Sequence, residues 1–256
     1  MLSIFLLCAL CGKTPYINHP THNTMTIRCI TFDLDDTLWD CAPVIEGAES
    51  RFYHWLAEHY PRIPERFSPQ ALIEHRKDWF GRYPDLHHDM TRLRKRWLSV
   101  LARENGYDES LVEPGFRVFW EARNQVCLYD DVLETLERLH GRYLLGSITN
   151  GNADVHHIGI GHLFDFSITA AGAGVAKPHP AIFTAALDEA GVAAHEALHV
   201  GDDPQRDVIG AARVGLRTLW VNPQDLPAPE GCRPDGVVRR VGEIPGWVEG
   251  WVRSEK

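Results

Sequence analysis

Asp33 and Asp35 stand two residues apart in Phe32-Asp33-Leu34-Asp35-Asp36-Thr37-Leu38-Trp39-Asp40, directly after the apolar run 27–32. Residues i and i+2 of an extended strand share a face, so the two carboxylates are expected to be neighbours. Neighbouring carboxylates repel unless one is protonated or a cation lies between them. Three later stretches carry groups that complement the acids. Thr149-Asn150-Gly151 offers a hydroxyl, an amide and a flexible backbone, and Lys177-Pro178 offers a positive charge on a stiffened loop. Gly201-Asp202-Asp203, with Asp207 four residues on, offers further carboxylates.

The elements that must position these groups follow from hydrophobic period and punctuation. An apolar run ending in acids predicts a buried parallel strand whose C-terminal end carries the ligand site, as open α/β sheets do. Between 44 and 126 the pattern is helical throughout, with stretches at 44–60, 70–80, 89–104 and 113–126. Leu93, Trp97 and Val100/Leu101 share a face of the third. From Asp130 onward strands and helices alternate. Asp131 to Glu134 has the spacing of a capping box. Strands are expected at 143–148, 166–169, 197–200 and 218–221, and helices at 181–190 and 207–214. Such alternation predicts βαβ units, parallel pairing and right-handed crossovers. Residues 223–234 read as loop and 237–256 as weakly patterned.

The ordered set DxDxT, T-N-G, K-P and G-D-D-x-x-x-D resembles the four motifs of the haloacid dehalogenase-like hydrolases, mostly Mg2+-dependent phosphatases. The resemblance implies a Rossmann-like, doubly wound parallel sheet core at 25–42 and 127–256, with an inserted helical C1 cap at 43–126. It also implies roles. Asp33 is the expected nucleophile, forming an aspartyl-phosphate. Asp35 is the expected acid for the leaving oxygen and base for the attacking water. Thr149, the Asn150 backbone and Lys177 would hold the phosphoryl oxygens. Mg2+ would be bound by Asp33, the carbonyl of Asp35 and Asp202, with Asp203 direct or through water. Asp36 reads as a turn hydrogen-bonder, and Asp207 equally well as a site acid or as a helix N-terminal acid. Dehalogenase members lack the acid at the position of Asp35, so its presence implies ester hydrolysis.

The cap is where the family selects substrates. Within it, residues 87–96 (HHDMTRLRKR) are basic in an acidic chain. A solvated face is one reading, and it is held for Lys95. The other is that His88, Thr91, Arg92 or Arg94 faces the pocket and meets a polar or anionic substrate. The run H-D-x-T-x-x-R, with F-D-L-D-D-T-L, I-T-N-G-N and L-H-V-G-D-D, is similar to a bacterial branch that dephosphorylates FMN and aminoribitylaminouracil phosphate. Nucleoside monophosphates or sugar phosphates are the alternative substrates. A phosphomutase or a non-catalytic binding protein on the same scaffold ranks lower, since Asp33, Asp35, Lys177 and Asp202 are all present. Trp55, Trp79 and Trp97 read chiefly as packing residues, and the adjacent pairs His87/His88 and His156/His157 as solvated.

A net charge of -9 argues against nucleic-acid binding, and no apolar run is long enough to span a membrane. The expected partner is therefore a small phosphorylated metabolite. The segment 1–24 reads as a disordered extension or a mis-assigned start, with Met25 opening the working protein. A secretory signal is the lesser reading, because no Lys or Arg precedes its apolar stretch. Six cysteines without a convincing pairing pattern suit a reduced, cytoplasmic protein. The sequence is silent on oligomeric state.

Overall fold

The computed structural model describes residues 26–254. The expectations for 1–24 and Met25 lie outside them. Among the described residues six strands, β1 Cys29–Phe32, β2 Leu144–Thr149, β3 Phe166–Thr169, β4 Ala197–Gly201, β5 Arg217–Val221 and β6 Gly236–Val238, form one sheet in the order β3-β2-β1-β4-β5-β6. Every pairing is parallel. The chain steps outward from β1 in one direction, returns beside β1 at β4, and steps outward in the other. That reversal opens a crevice at the C-terminal ends of β1 and β4.

All four β1 residues are buried, as expected of a central strand covered on both faces. Ile30 and Phe32 join an apolar cluster with Leu136, Leu139, Ile244 and Val248. Cys29 joins the cluster on the opposite face with Ile182, Phe183 and Ala211. The register sets Phe32 opposite both Ser147 and Val200, so residues following β1, β2 and β4 emerge along one edge.

Between β1 and β2 lie α1 Cys41–His59, α2 Arg62–Arg66, α3 Pro69–Gly81, α4 Met90–Glu104 and α5 Val112–Arg123. They enclose a separate apolar cluster that includes Phe52, Leu56, Leu93, Trp97, Leu101 and Phe119. Short polar side chains cap the starts of three of these helices. Asp40 accepts from Ala42 N, Ser68 from Ala71 N, and Asp89 from Arg92 N. The last helix stops at Arg123, short of 126. Asn124 turns the chain there, donating Nδ2 to Trp120 O (2.9 Å) and accepting from Asp154 N (2.8 Å).

The sheet is covered by α6 Val132–Leu139, α7 Val155–Ile158, α8 Ala170–Ala173, α9 Pro180–Ala190, α10 Gly210–Ala212 and α11 Ile244–Ser254. Three expectations need correction. Asp131 forms no capping box, because its carboxylate instead accepts from Gly242 N (2.8 Å), fastening the C-terminal segment to the start of α6. The weakly patterned stretch forms regular structure as far as residue 254, with β6 added to the sheet and α11 packed on it; a three-residue strand is too short to show a period. The helix expected at 207–214 begins earlier, as a π-helical turn at Pro204–Ile209 running into α10. Such turns reorient side chains and occur often at functional sites.

Candidate active site

Asp33 leaves β1 with its N–H bound to Val200 O (2.8 Å), which locks it to the sheet edge. Lys177, 4% exposed, extends Nζ to Asp33 Oδ1 at 2.5 Å and to Asp207 Oδ1 at 2.7 Å. Asn150 sets the lysine's backbone: Nδ2 donates to Lys177 O (2.9 Å) and Oδ1 accepts from Lys177 N (2.7 Å). Thr149 Oγ1 accepts from Gly151 N (2.9 Å), shaping the turn after β2.

Asp202 follows β4 and accepts from Thr37 Oγ1 at 3.0 Å. Asp207 is carried inward by the π turn and is 1% exposed. It accepts from Asp203 N (3.0 Å) and lies 3.2 Å from His199 Nε2. This inward path needs Gly201, since a Cβ there would sit 2.3 Å from Asp207 Cγ. Asp203 also lines the cavity, but it lies outside the close carboxylate cluster and its Oδ1 caps the turn, accepting from Gln205 N and Arg206 N. Asp36, at φ 62, accepts from Cys41 N, in keeping with a turn role.

Asp33, Asp202 and Asp207 each bring a carboxylate oxygen within 4.8 Å of the others. One lysine neutralises one of them. Burial disfavours the Asp207 carboxylate, but Lys177 and His199 hold it below the usual range. Burial pushes Asp33 well above that range, with Asp207 and Asp202 adding to the rise against the pull of Lys177. Burial and Asp207 push Asp202 up to about 6. Burial works against the Lys177 charge, yet Asp207 and Asp33 raise it above the ordinary lysine value. His199 is pulled down by burial, against the hydrogen bond and the charge of Asp207 beside it. A hard divalent cation with oxygen ligands fits this surplus of carboxylate donors.

Asp35 turns its carboxylate aside from that cluster. Oδ1 accepts from Trp39 Nε1 (2.9 Å) and Oδ2 from Arg123 Nη2 (2.5 Å). A cavity of about 780 Å³ joins these groups to the helical block, lined by Asp33, Asp35, Lys177 and Asp202 from the sheet edge and by Phe80 and Met90 from the helices. His87 also lines it, exposed to solvent, with a ring nitrogen 3.0 Å from Phe80 O.

The structure does not bring His88, Thr91, Arg92 and Arg94 to this cavity; the α4 face that lines it carries Met90 and Leu93. Thr91 Oγ1 accepts from Asn152 Nδ2 at 3.4 Å, between the helical block and the sheet. Arg92 lines a shallow outer groove. Arg94 is buried against Glu49 and lies over the Phe119 ring. The helical period turns Thr91 and Arg92 away from Met90, whereas Arg94, one turn on from Met90, is drawn into the block by Glu49. Trp79 and Trp97 are buried in the block's core.

Sequence reasoning gave no role to Trp39, His199 or Arg123, nor to Thr37 beyond its place in the DxDxT motif. His199 carried a signal, as a titratable residue inside the apolar strand β4. Arg123 carried none, being one of several charges on an amphipathic helix.

The family model of haloacid dehalogenase-like hydrolases matches residues 27–215. The chain belongs to the haloacid dehalogenase-like hydrolases. It is 32% identical over 203 residues to 5-amino-6-(5-phospho-D-ribitylamino)uracil phosphatase YigB of Escherichia coli, covering 78% of this chain and 85% of that protein. It is 34% identical over 209 residues to the glyceraldehyde 3-phosphate phosphatase of Pyrococcus abyssi, covering 76% and 81%. A structure described as 2-haloacid dehalogenase from Pseudomonas syringae superimposes with a TM-score of 0.83 at 39% identity, covering 88% of this chain and 100% of that one. Within the family, therefore, the chain is similar both to phosphoric monoester hydrolases and to a structure named for dehalogenation.

Proposed function

We propose that this hydrolase is a Mg2+-dependent phosphatase of small phosphorylated metabolites, acting through an aspartyl-phosphate on Asp33. One observation carries the reading: Asp33 touches Lys177 in a carboxylate-rich pocket, while Asp35 lines the same cavity as a second carboxyl group. A nucleophile, a cation for the phosphoryl oxygens and an acid for the leaving group are what ester cleavage requires.

In the first step an Asp33 oxygen attacks phosphorus as the ester oxygen departs with the Asp35 proton. In the second, Asp35 takes a proton from water, which attacks the phosphorus and restores the Asp33 carboxylate. Lys177, the Thr149 hydroxyl and the Asn150 backbone N–H are assigned to the equatorial oxygens, where charge must be compensated. Asp33, the Asp35 carbonyl and Asp202 are the assigned Mg2+ ligands. Asp207 joins Asp33 and Asp202 as a carboxylate donor, with Asp203 reduced to an outer position by its capping role. Bound Mg2+ supplies charge neutralisation at the phosphoryl group. The helical block, 43–126, is assigned as the cap that excludes water.

The substrate we favour is FMN or aminoribitylaminouracil phosphate, supported by the similarity to the E. coli phosphatase. A nucleoside monophosphate or a sugar phosphate is the alternative, which the similarity to the glyceraldehyde 3-phosphate phosphatase supports. A cytoplasmic setting suits the free thiols of Cys29, Cys41, Cys127 and Cys232. No helix among the described residues is long and apolar enough to cross a membrane.

The test is phosphate release from a metabolite panel with Mg2+, for wild type and Asp33→Asn. Release that prefers FMN and vanishes in the variant supports the whole reading. A preference for nucleotides or sugar phosphates keeps the reaction and discards that substrate. Halide release from a 2-haloacid, without phosphate release from any ester, overturns the phosphatase reading in favour of dehalogenation.

A further inference from the structure

Arg123 is the last residue of α5 and is 2% exposed. Its Nη2 reaches Asp35 Oδ2 at 2.5 Å, while Trp39 Nε1 holds Asp35 Oδ1 at 2.9 Å. The carboxylate is thus gripped at both oxygens, once from its own loop and once from the end of the helical block. The turn around Arg123 is itself fastened to the segment after β2. Trp120 Nε1 donates to Asn152 O (3.0 Å), and Asn124 Oδ1 accepts from Asp154 N (2.8 Å). Gly151 leaves room for the contact, since a Cβ there would lie 2.9 Å from Asp35 Oδ2 and 3.2 Å from Arg123 Nη2.

Arg123 Nη1 is buried without a partner, a feature it shares with Arg76 Nε and Arg94 Nη1 in the helical block, so the contact that sets Arg123 apart is the one to Asp35. What Arg123 does achieve is to fix one carboxylate in direction. A general acid works only within hydrogen-bond reach of the oxygen it protonates, and small misplacements are costly.

We propose that Arg123 is a positioning residue for Asp35, through which the end of the helical block sets the aim of the general acid. The inference rests on the phosphatase reading above. It requires that Arg123 act on the reaction through proton donation, and not through the fold in general.

Leaving groups separate these roles. The value of kcat/KM covers the steps up to departure of the ester oxygen. An alkyl phosphate needs that oxygen protonated, whereas p-nitrophenyl phosphate releases a stable phenolate. We would measure kcat/KM with Mg2+ on both esters for wild type, Asp35→Asn, Arg123→Gln, Arg123→Lys and the Asp35→Asn/Arg123→Gln double variant, with melting temperatures recorded for each. Arg123→Gln is expected to lose about 10- to 100-fold on the alkyl ester, at or below the lower end of what a general acid contributes because Asp35 itself remains, and less than about 3-fold on p-nitrophenyl phosphate. Arg123→Lys, which keeps one cationic donor, is expected to recover part of the loss. The double variant should fall no lower than Asp35→Asn alone. Equal losses on both esters, or additive losses in the double variant, overturn the proposal and leave Arg123 as a clasp for the block. If Arg123→Gln does not fold, the same ester comparison on Arg123→Lys decides. A wild type that hydrolyses neither ester overturns the phosphatase reading itself, and the role of Arg123 with it.

Discussion

Asn150 holds Lys177 by both backbone groups, donating to its carbonyl at 2.9 Å and accepting from its N–H at 2.7 Å. The two residues lie 27 positions apart, on the loop after β2 and the loop before α9. This double contact fixes where the lysine side chain enters the pocket between Asp33 and Asp207. Asn150→Ala removes two hydrogen bonds of about 1 kcal/mol each. At about 1.4 kcal/mol per factor of ten, a fall in kcat of roughly 30-fold is expected if that energy is spent on placing Lys177. Steady-state kinetics on one ester check this, and an unchanged kcat would reduce Asn150 to an ordinary turn residue.

Glu49 accepts from both Arg76 and Arg94 inside the helical block, so one buried carboxylate serves two guanidinium groups. Burial pulls Arg94 down to about 10 even with Glu49 beside it. Glu49→Ala would leave two buried cations facing each other, at a cost of about 3–5 kcal/mol. For a chain of this length that is a fall in Tm of about 10 °C. Arg94→Ala is expected to cost less, because Arg76 still neutralises Glu49. It should raise KM for the favoured substrate no more than for p-nitrophenyl phosphate. Calorimetry and kinetics on the two variants check both statements.

Asp202 supplies a pH dependence. Its carboxyl is pushed up to about 6 by burial and by Asp207, against an ordinary value of 3.8. The metal-free folded state therefore binds a proton more tightly than the unfolded state. Stability from this source is fully present below about pH 4 and is lost as pH rises through 6. His199, held low by burial, works in the opposite direction near neutrality, so the raw curve mixes the two. The Tm difference between wild type and Asp202→Asn isolates the aspartate. It should shift against wild type between pH 5 and 7 without metal. Added Mg2+ should reverse the shift at pH 7 in wild type alone. A Tm difference that does not vary with pH would contradict this account.

Gly201 allows Asp207 to pass close beneath β4. A Cβ at 2.3 Å from Asp207 Cγ cannot be accommodated without moving the acid. Gly201→Ala is expected to lower stability by about 1–3 kcal/mol, as overpacking does, and to weaken Mg2+ binding along with it. Titration calorimetry with Mg2+ measures the second effect, and unaltered affinity would remove Asp207 from the metal site.

The sequence by itself determined the elements whose signals are local. The apolar run ending at Asp33, the turn at Thr149-Asn150-Gly151 and the Gly201-Asp202-Asp203 strand end were legible because buried parallel strands read as continuous apolar segments. The helical block was legible from its 3.6-residue period, as in Leu93, Trp97 and Leu101. Only the tertiary structure decided contacts that join distant segments. The grip of Asn150 on Lys177, the inward turn of Asp207, and the pairing of Arg123 with Asp35 across 88 residues depend on loop paths that no period encodes. It also decided which side of α4 meets the cavity. Arg94 and Met90 are four residues apart, yet Arg94 is buried with Glu49 while Met90 lines the pocket. A helix's pattern tells which residues are apolar, but its rotation against its neighbours is set by packing.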